Sequence, residues 1–415
     1  MGAPMNDRKL PSSDIAEEVK AFYEQHPYPP PVANLDRYRD RWQDPRMRRL
    51  ESYLYWPGEP YRADRSILVA GCGTSQAAKH AMRWPEAKVV GIDVSKTSIR
   101  ETWKLKQKYG LENLELLQLP VESAGDLDCQ FDHVVCTGVL HHLPDPDAGL
   151  RALRNVLAPG GAMHVMVYAP YGRAGIYLIQ DYCRKLGIAP TSREIRDLTQ
   201  LLQNLPANHP LAPLMANAPD FADPAALADA LLNPQDRPYS VPEFMDFLER
   251  SGLQFGRWVR QAPYLPQCGM IASSPHRAKL ESLSAADQYT AIELLRGTMV
   301  THSAVVYRDD QPQEHQALSF ENDRWLDYVP LPMPGCVVVQ QNLPSGAAAV
   351  LINRAHTYTD LYVPLTEFEA HVFAWIDGEA SCRDLVAEAT DAPRVANLML
   401  KLWRSDQIVF DRSKG

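Results

Sequence analysis

The sequence predicts an α/β protein built on a doubly wound, mostly parallel sheet, followed by a small C-terminal α+β unit. Three observations predict it. Short apolar runs of strand length alternate with helical stretches between about residues 66 and 168. The first run enters a glycine-containing turn, and the second ends in a carboxylate about 20 residues later. At 415 residues the chain also exceeds the size at which one hydrophobic core stops growing, so several units are expected.

In chain order, residues 14–26 (DIAEEVKAFYEQH) predict a helix capped by Asp14, with Ile15, Val19 and Phe22 at helical spacing and Pro27 ending it. Strands are expected at 66–70, 87–92, 114–117, 131–136 and 162–168. Helices are expected near 75–83 and over 146–157, the second stopped by Pro159-Gly160-Gly161. From about 171 the text turns helical and loop-rich. Thr191 and Glu194 form a capping-box pair opening a helix through Leu202, and the Pro/Ala/Asn-rich stretch 204–224 reads as a long loop or lid. Residues 241–251 predict a helix closed by Gly252. The last unit shows strand-like 337–340, 348–353 and 408–410. Its helical faces are Phe368/Val372/Phe373/Ile376, Leu385/Val386/Ala389 and Val395/Leu398/Met399/Leu402. The expected division is an N-terminal arm or lid (1–60), a core (61–170), a helical insertion (171–235), completion of the core (236–310) and a C-terminal unit (315–415).

A hydrophobic fraction of 45% with 22% charged residues is that of a globular protein. The net charge of -9, with no basic patch, disfavours nucleic-acid binding. The seven cysteines (Cys72, Cys129, Cys136, Cys183, Cys268, Cys336, Cys382) never form a C-x-x-C pair. Free thiols in a reducing cytoplasm are expected, with neither disulfides nor a metal site. The N-terminal MGAPMNDRKLPSSD has no apolar h-region, no stretch approaches a membrane span, and Asn6 breaks the myristoylation pattern after Gly2. A cytoplasmic protein without membrane contact is expected.

The chemistry concentrates in SILVAGCGTSQ at 66–76, a strand entering a turn and then a helix. Gly71 and Gly73 lack Cβ atoms, so the backbone can turn sharply and let a ligand approach. Asp93 closes the second strand, where a carboxylate can accept both ribose hydroxyls of an adenosine cofactor. A dinucleotide fingerprint asks for Gly or Ala as the sixth residue counted from the first glycine, and Gln76 stands there, so pyrophosphate binding is unsupported.

With GIDVS at 91–95 and GVLHHLPDP followed by L-x-P-G-G at 138–161, the stretch 66–168 resembles a class I S-adenosylmethionine-dependent methyltransferase. That resemblance implies a Rossmann-like sheet, S-adenosyl-L-methionine as cofactor and S-adenosyl-L-homocysteine as product. Carried over, Gly71, Cys72 and Gly73 would face the methionine part, and Asp93 the ribose, with Val94 and Ser95 near the adenine. Leu119, Pro120 and Val121 would cover the adenine. Thr137, Gly138 and Val139 would lie along the cofactor backbone, with His142 near the site mouth. Two positions depart from the pattern: Val69 replaces an acidic residue and Ser75 the third glycine.

The flanking FYEQHPYPP, VYAPYGRAGIY, RPYSVPEFMDFLERSGLQF and ELLRGTMVTHSAVVYR resemble bacterial methyltransferases related to the rickettsial protein-lysine methyltransferases. This implies Tyr23 and Tyr28 in a lid, Tyr168, Tyr171 and Arg173 on the acceptor side, and leaves a homodimer open. AHVFAWIDGEASCRDLVAEA at 370–389, followed by LMLKLWRSDQIVF at 398–410, resembles a small PqqD-like winged helix, a structural unit or a peptide-docking one.

A sulfonium methyl is already electrophilic, so alignment with the acceptor and exclusion of water supply most of the acceleration. A protonated nucleophile needs a base, and His141 and His142 stand at the C-terminal end of a central strand. His302 and Arg296 are further candidates to reach the pocket. The expected reaction is methyl transfer to N or O of a peptide, protein or small metabolite. The alternatives are a small-molecule enzyme whose C-terminal unit is purely structural, and a non-catalytic scaffold that binds the cofactor.

Overall fold

The computed structural model describes residues 12–217, 221, 223–311 and 318–414. The extreme N-terminal residues 1–11 and the expected boundary at 315 lie outside them. The order of elements places a seven-stranded sheet at the centre. Its strands are β1 (Ile67–Ala70), β2 (Val89–Asp93), β3 (Leu114–Gln118), β4 (Phe131–Thr137), β5 (Leu157–Tyr168), β6 (Leu253–Trp258) and β7 (Thr301–Arg308). They lie in the order β3-β2-β1-β4-β5-β7-β6. Neighbours from β3 to β5 pair in parallel, and β7 runs antiparallel to both β5 and β6.

Side-chain alternation splits the sheet's two faces into separate cores. Leu68, Ala70, Val90 and Ile92 pack on one side, among residues from the helices Pro146–Val156 and Val241–Arg250. Ile67, Val69 and Val89 pack on the other, against Ala77, Ala78 and Ala81 of the helix Gln76–Arg83. Every residue of β1 and β2 is buried, as expected for parallel strands covered on both faces.

Several boundaries differ from the sequence expectation. The first helix spans Ser12–Gln25, so Asp14 lies in its first turn and is not its cap. The helix after β4 ends at Val156, and β5 begins at once, carrying Pro159-Gly160-Gly161 within the strand because Leu157 already pairs with Phe131 of β4. Thr191 does cap the helix Ser192–Leu202, but Glu194 bonds the amide of Ala189, so the reciprocal half of the capping box is not formed. The stretch 204–224 is not all loop, since Ala212–Asn217 is helical; residues 218–220 and 222 lie outside the described set.

A second core lies above the C-terminal ends of the strands. There Phe22 of the N-terminal helix packs with Ile176, Ile179, Leu198 and Leu227 from the helices that follow β5. Far from it, residues 318–414 form their own core around Leu351, Leu365, Leu385, Leu398 and Phe410. Their antiparallel strands are β8 (Val329–Pro332), β9 (Cys336–Val339), β10 (Ala349–Asn353), β11 (Tyr362–Leu365) and β12 (Ile408–Asp411). They pair as β11-β10-β9 and β12-β8. This unit is tied to the sheet through Asp406, which accepts from the Ala262 amide at 2.9 Å and pairs with Arg257 at 3.4 Å. No helix of the described residues is long and apolar enough to cross a membrane.

Candidate active site

The C-terminal ends of β1, β2 and β4 converge on a cavity of about 490 Å³, within the size range of small-molecule sites. Gly71 sits at φ +66°, and a Cβ there would meet Val139 Cγ2 at 2.3 Å. Gly73 sits at φ +55°, and a Cβ there would meet Pro29 Cδ and the Tyr28 carbonyl oxygen, both at 2.9 Å. Only glycine therefore lets the turn lie this close to its neighbours.

Asp93 is held from two sides. Its Oδ2 accepts from the Gly73 amide at 2.8 Å and its Oδ1 from the Ser95 amide at 2.9 Å. Burial outweighs these bonds and pushes the carboxyl up to about 6. Each oxygen keeps a lone pair, so the group can still accept two further donors. The cavity also takes in Val94, Pro120, Val121, Thr137, Gly138 and Val139.

The roof comes from the N-terminal arm. Glu24 receives the Thr97 amide at 3.1 Å and its hydroxyl at 2.7 Å, capping the helix Lys96–Tyr109 that follows β2. The Thr74 hydroxyl donates to the Pro29 carbonyl at 2.7 Å. The Tyr28–Pro29 peptide is cis. These ties set Tyr23, Tyr28 and Pro29 over the cavity.

Opposite the cofactor-type turn, the wall is apolar with a polar patch. Val19, Ile176, Leu214, Phe221, Ala226 and Ala230 line it together with Asp229. The Tyr23 hydroxyl donates to Asp229 Oδ1 at 2.8 Å and accepts from Asn233 at 3.0 Å. Burial, then the Asp229 charge, pushes the Tyr23 phenol well above its ordinary range, so it stays protonated. The guanidinium of Arg173 stacks 3.4 Å above the Tyr168 ring centre. Tyr168, Arg173 and His142 all reach the cavity.

Other expected residues lie elsewhere. The Cys72 thiol is turned into the core beside Ala77 and bonds the Gly73 carbonyl instead of facing the cavity. Ser95 caps the following helix, and its hydroxyl donates to the Tyr23 carbonyl. Leu119 packs against the core and does not line the cavity. His141 is fully buried behind the wall, its ring 3.9 Å from that of Tyr168 and 4.2 Å from that of His142. Burial, with the His142 and Arg173 charges, holds it well below the ordinary histidine range. Tyr171 is 42% exposed and turned outward. His302, on β7, is held between Tyr264 and Glu293, and Arg296 pairs with Asp360, so neither reaches the cavity. Val69 is buried in the core and offers no carboxylate to a cofactor ammonium. Glu122, Met166, Asp229 and Thr301 line the cavity without having been expected there.

Residues 68–163 match the family described as a methyltransferase domain. An uncharacterized protein from Synechococcus sp. is 30% identical over 334 residues, covering 78% of each chain. A ubiquinone biosynthesis O-methyltransferase from Acinetobacter baumannii is 28% identical over 141 residues, 34% of this chain. The match takes in only 54% of that relative's length. The chain belongs to the class I S-adenosylmethionine-dependent methyltransferases. Its cofactor is S-adenosylmethionine. At the level of fold, this methyltransferase is similar to PKMT2 from Rickettsia typhi, with a TM-score of 0.62 at 15% identity, covering 89% of this chain and 75% of that one. A second structure of PKMT2, in complex with AdoHcy, gives a TM-score of 0.61. The glycine turn, the doubly bonded Asp93 and the size of the cavity fit an adenosine-bearing cofactor.

Proposed function

We propose that this methyltransferase acts on an oxygen or nitrogen of a small, largely apolar acceptor, and that residues 318–414 are structural. The observation that carries the reading is the composition of the acceptor-side wall. It is built from Val19, Ile176, Leu214, Phe221 and Ala226 around one buried carboxylate, and among the described residues nothing from 318–414 contributes.

Bound S-adenosylmethionine supplies an electrophilic methyl on a positively charged sulfur. Asp93 takes the ribose hydroxyls, while Val94, Pro120 and Val121 flank the adenine. Gly71, Gly73 and Thr137–Val139 let the chain approach the rest of the cofactor. Tyr168 and Arg173 stand on the acceptor side. Asp229 keeps Oδ2 free of the bonds that Tyr23 and Asn233 make to Oδ1, and it receives the proton that the acceptor loses. The arm excludes water.

The test uses methyl-labelled S-adenosylmethionine with a panel of hydroxylated and amine-bearing aromatic molecules, and separately with peptides. Label in the small molecules, lost about a hundredfold in Asp229→Asn with cofactor affinity kept, supports the reading. Label only in peptides overturns it. Cofactor binding without turnover on either supports the scaffold reading that Val69 favours. A homodimer, if formed, has an apolar stripe to use at Leu178, Tyr182 and Leu186, exposed at helical spacing on the helix Ala174–Leu186.

A further inference from the structure

Behind the cavity wall, the turn after β4 meets residues 233–237, which close the helical insertion. The Arg237 amide donates to the His141 carbonyl at 3.0 Å. Beside that bond, His141, His142 and Asp236 each offer a ligand atom, all within 4.8 Å of one another. We propose that these three side chains bind one divalent transition-metal ion.

The argument rests on which atoms are already used. His142 Nδ1 lies 2.5 Å from the Gln235 carbonyl, which can only accept, so Nδ1 carries the proton and Nε2 keeps its lone pair. Asp236 Oδ2 takes Gln180 at 3.0 Å and Arg173 at 3.3 Å, which fixes the carboxylate and leaves Oδ1. His142 Nε2, Asp236 Oδ1 and both ring nitrogens of His141 are buried without a hydrogen-bond partner among the described residues. His141 is fully buried, and the Asp236 side chain is 2% exposed. Buried polar atoms are normally paired, and four bare ones in a single cluster require an occupant.

A cation satisfies this set. With the other nitrogen of His141 carrying its proton, a carboxylate oxygen and two imidazole lone pairs are offered together as acceptors, and a cation takes all three where a water molecule has protons for only two. Two imidazoles with one carboxylate suit zinc, cobalt, iron or manganese better than calcium or magnesium. The outer atoms of His142 and Asp236 are already oriented by a carbonyl, an amide and a guanidinium, as the ligands of built metal sites are. Ligand atoms around a tetrahedral ion stand about 3.3 Å apart, so the set closes inward by small rotations of the rings. Asp236 shares its charge with Arg173, which lessens its pull on the ion. The ion would pin the insertion to the loop behind His142, whatever methyl acceptor the cavity takes.

The test uses full-length, untagged protein freed of metal with a chelator and titrated with cobalt(II). Visible absorption saturating at one ion per chain, displaced by zinc, supports the site. Asp236→Asn and His141→Phe should each weaken cobalt binding about tenfold or more, while His276→Ala, at an exposed histidine, leaves it unchanged. S-adenosylhomocysteine binding in the same variants reports that they are folded. Crystals of the unaltered protein soaked in cobalt provide a readout independent of the variants. Anomalous density among the three side chains supports the proposal. No cobalt binding, binding that survives both substitutions, or density only elsewhere overturns it.

Discussion

The Asp93 carboxyl links cofactor affinity and stability to pH with opposite signs. Its ordinary value is 3.8, and burial raises it to about 6 in the folded chain. On the proposed reading the ribose hydroxyls bind the ionised form, so protonation would compete with the cofactor once pH falls below about 6. Affinity for S-adenosylhomocysteine should drop about tenfold from pH 7 to pH 5, about 1.4 kcal/mol. Stability moves the other way. The folded state holds the Asp93 proton more tightly than the unfolded chain does. The stabilisation from that proton is therefore full below pH 4 and lost as pH rises through about 6. Between pH 5 and pH 7 the loss is about 1.3 kcal/mol for this group alone. Calorimetry of cofactor binding and urea unfolding, each run on the native chain and on Asp93→Asn, isolate the contribution of this residue. The native chain should show both trends relative to the variant. Equal pH dependence of binding in the two proteins would refute the reasoning, because Asp93 would then not hold the nucleoside.

Gly71→Ala places a Cβ at φ +66° and 2.3 Å from Val139, so it should cost about 2 kcal/mol in urea unfolding and at least about tenfold in cofactor affinity. Gly110→Ala, at φ +60° with open space around it, should cost about 1 kcal/mol and leave affinity alone; equal affinity losses in both would remove the special role of the turn. Tyr23→Phe deletes a donor to Asp229 and should lower stability by about 1–2 kcal/mol, with S-adenosylhomocysteine affinity changing by less than about threefold. A far larger affinity loss, read by calorimetry, would place Tyr23 on the cofactor instead. Asp406→Ala strands the buried Arg257 and frees the Ala262 amide, and should destabilise by about 3 kcal/mol in thermal or urea unfolding. An effect below about 1 kcal/mol would show that Asp406 is not what holds the C-terminal unit to the sheet.

The parallel half of the sheet was legible because its strands are short, largely apolar runs bounded by turn signals. β6 and β7 were not read as strands: their pairing joins segments far apart in sequence, Leu253 with Arg308 and Met163 with Val306, although Ala304–Tyr307 is itself an apolar run. At the site, Gly71, Gly73 and Asp93 were readable from backbone demands that only those residue types meet. Cys72, Ser95 and Leu119 were drawn in by adjacency to the motifs, but neighbours on a strand or turn point to opposite sides. His141 and His142 do not diverge in this way: their rings lie 4.2 Å apart, and only His142 also reaches the cavity. Asp229 was missed although it left a trace: it is the lone acidic residue in the apolar helix Pro224–Leu232 (PAALADALL), where a buried charge needs a partner or a purpose. His141 and Asp236 could not be joined from sequence, because no ligand spacing links a loop after β4 to the end of an insertion.

The two halves of the cavity rest on different supports, and this bears on how the enzyme could be redirected. The cofactor half is carried by the ends of β1, β2 and β4, strands buried on both faces and bonded to neighbours on either side. The half proposed for the acceptor is carried by the arm and the insertion, which share a separate core of Phe22, Ile176, Leu198 and Leu227. Glu24 and Thr74 are among the polar ties between the arm and the cofactor half. Volume changes at Leu214, Phe221 or Ala226 therefore strain the second core and leave the glycine turn and Asp93 in place. Acceptor choice can drift in this architecture while the grip on S-adenosylmethionine stays constant, because the side chains that would select the acceptor are not those that position the donor.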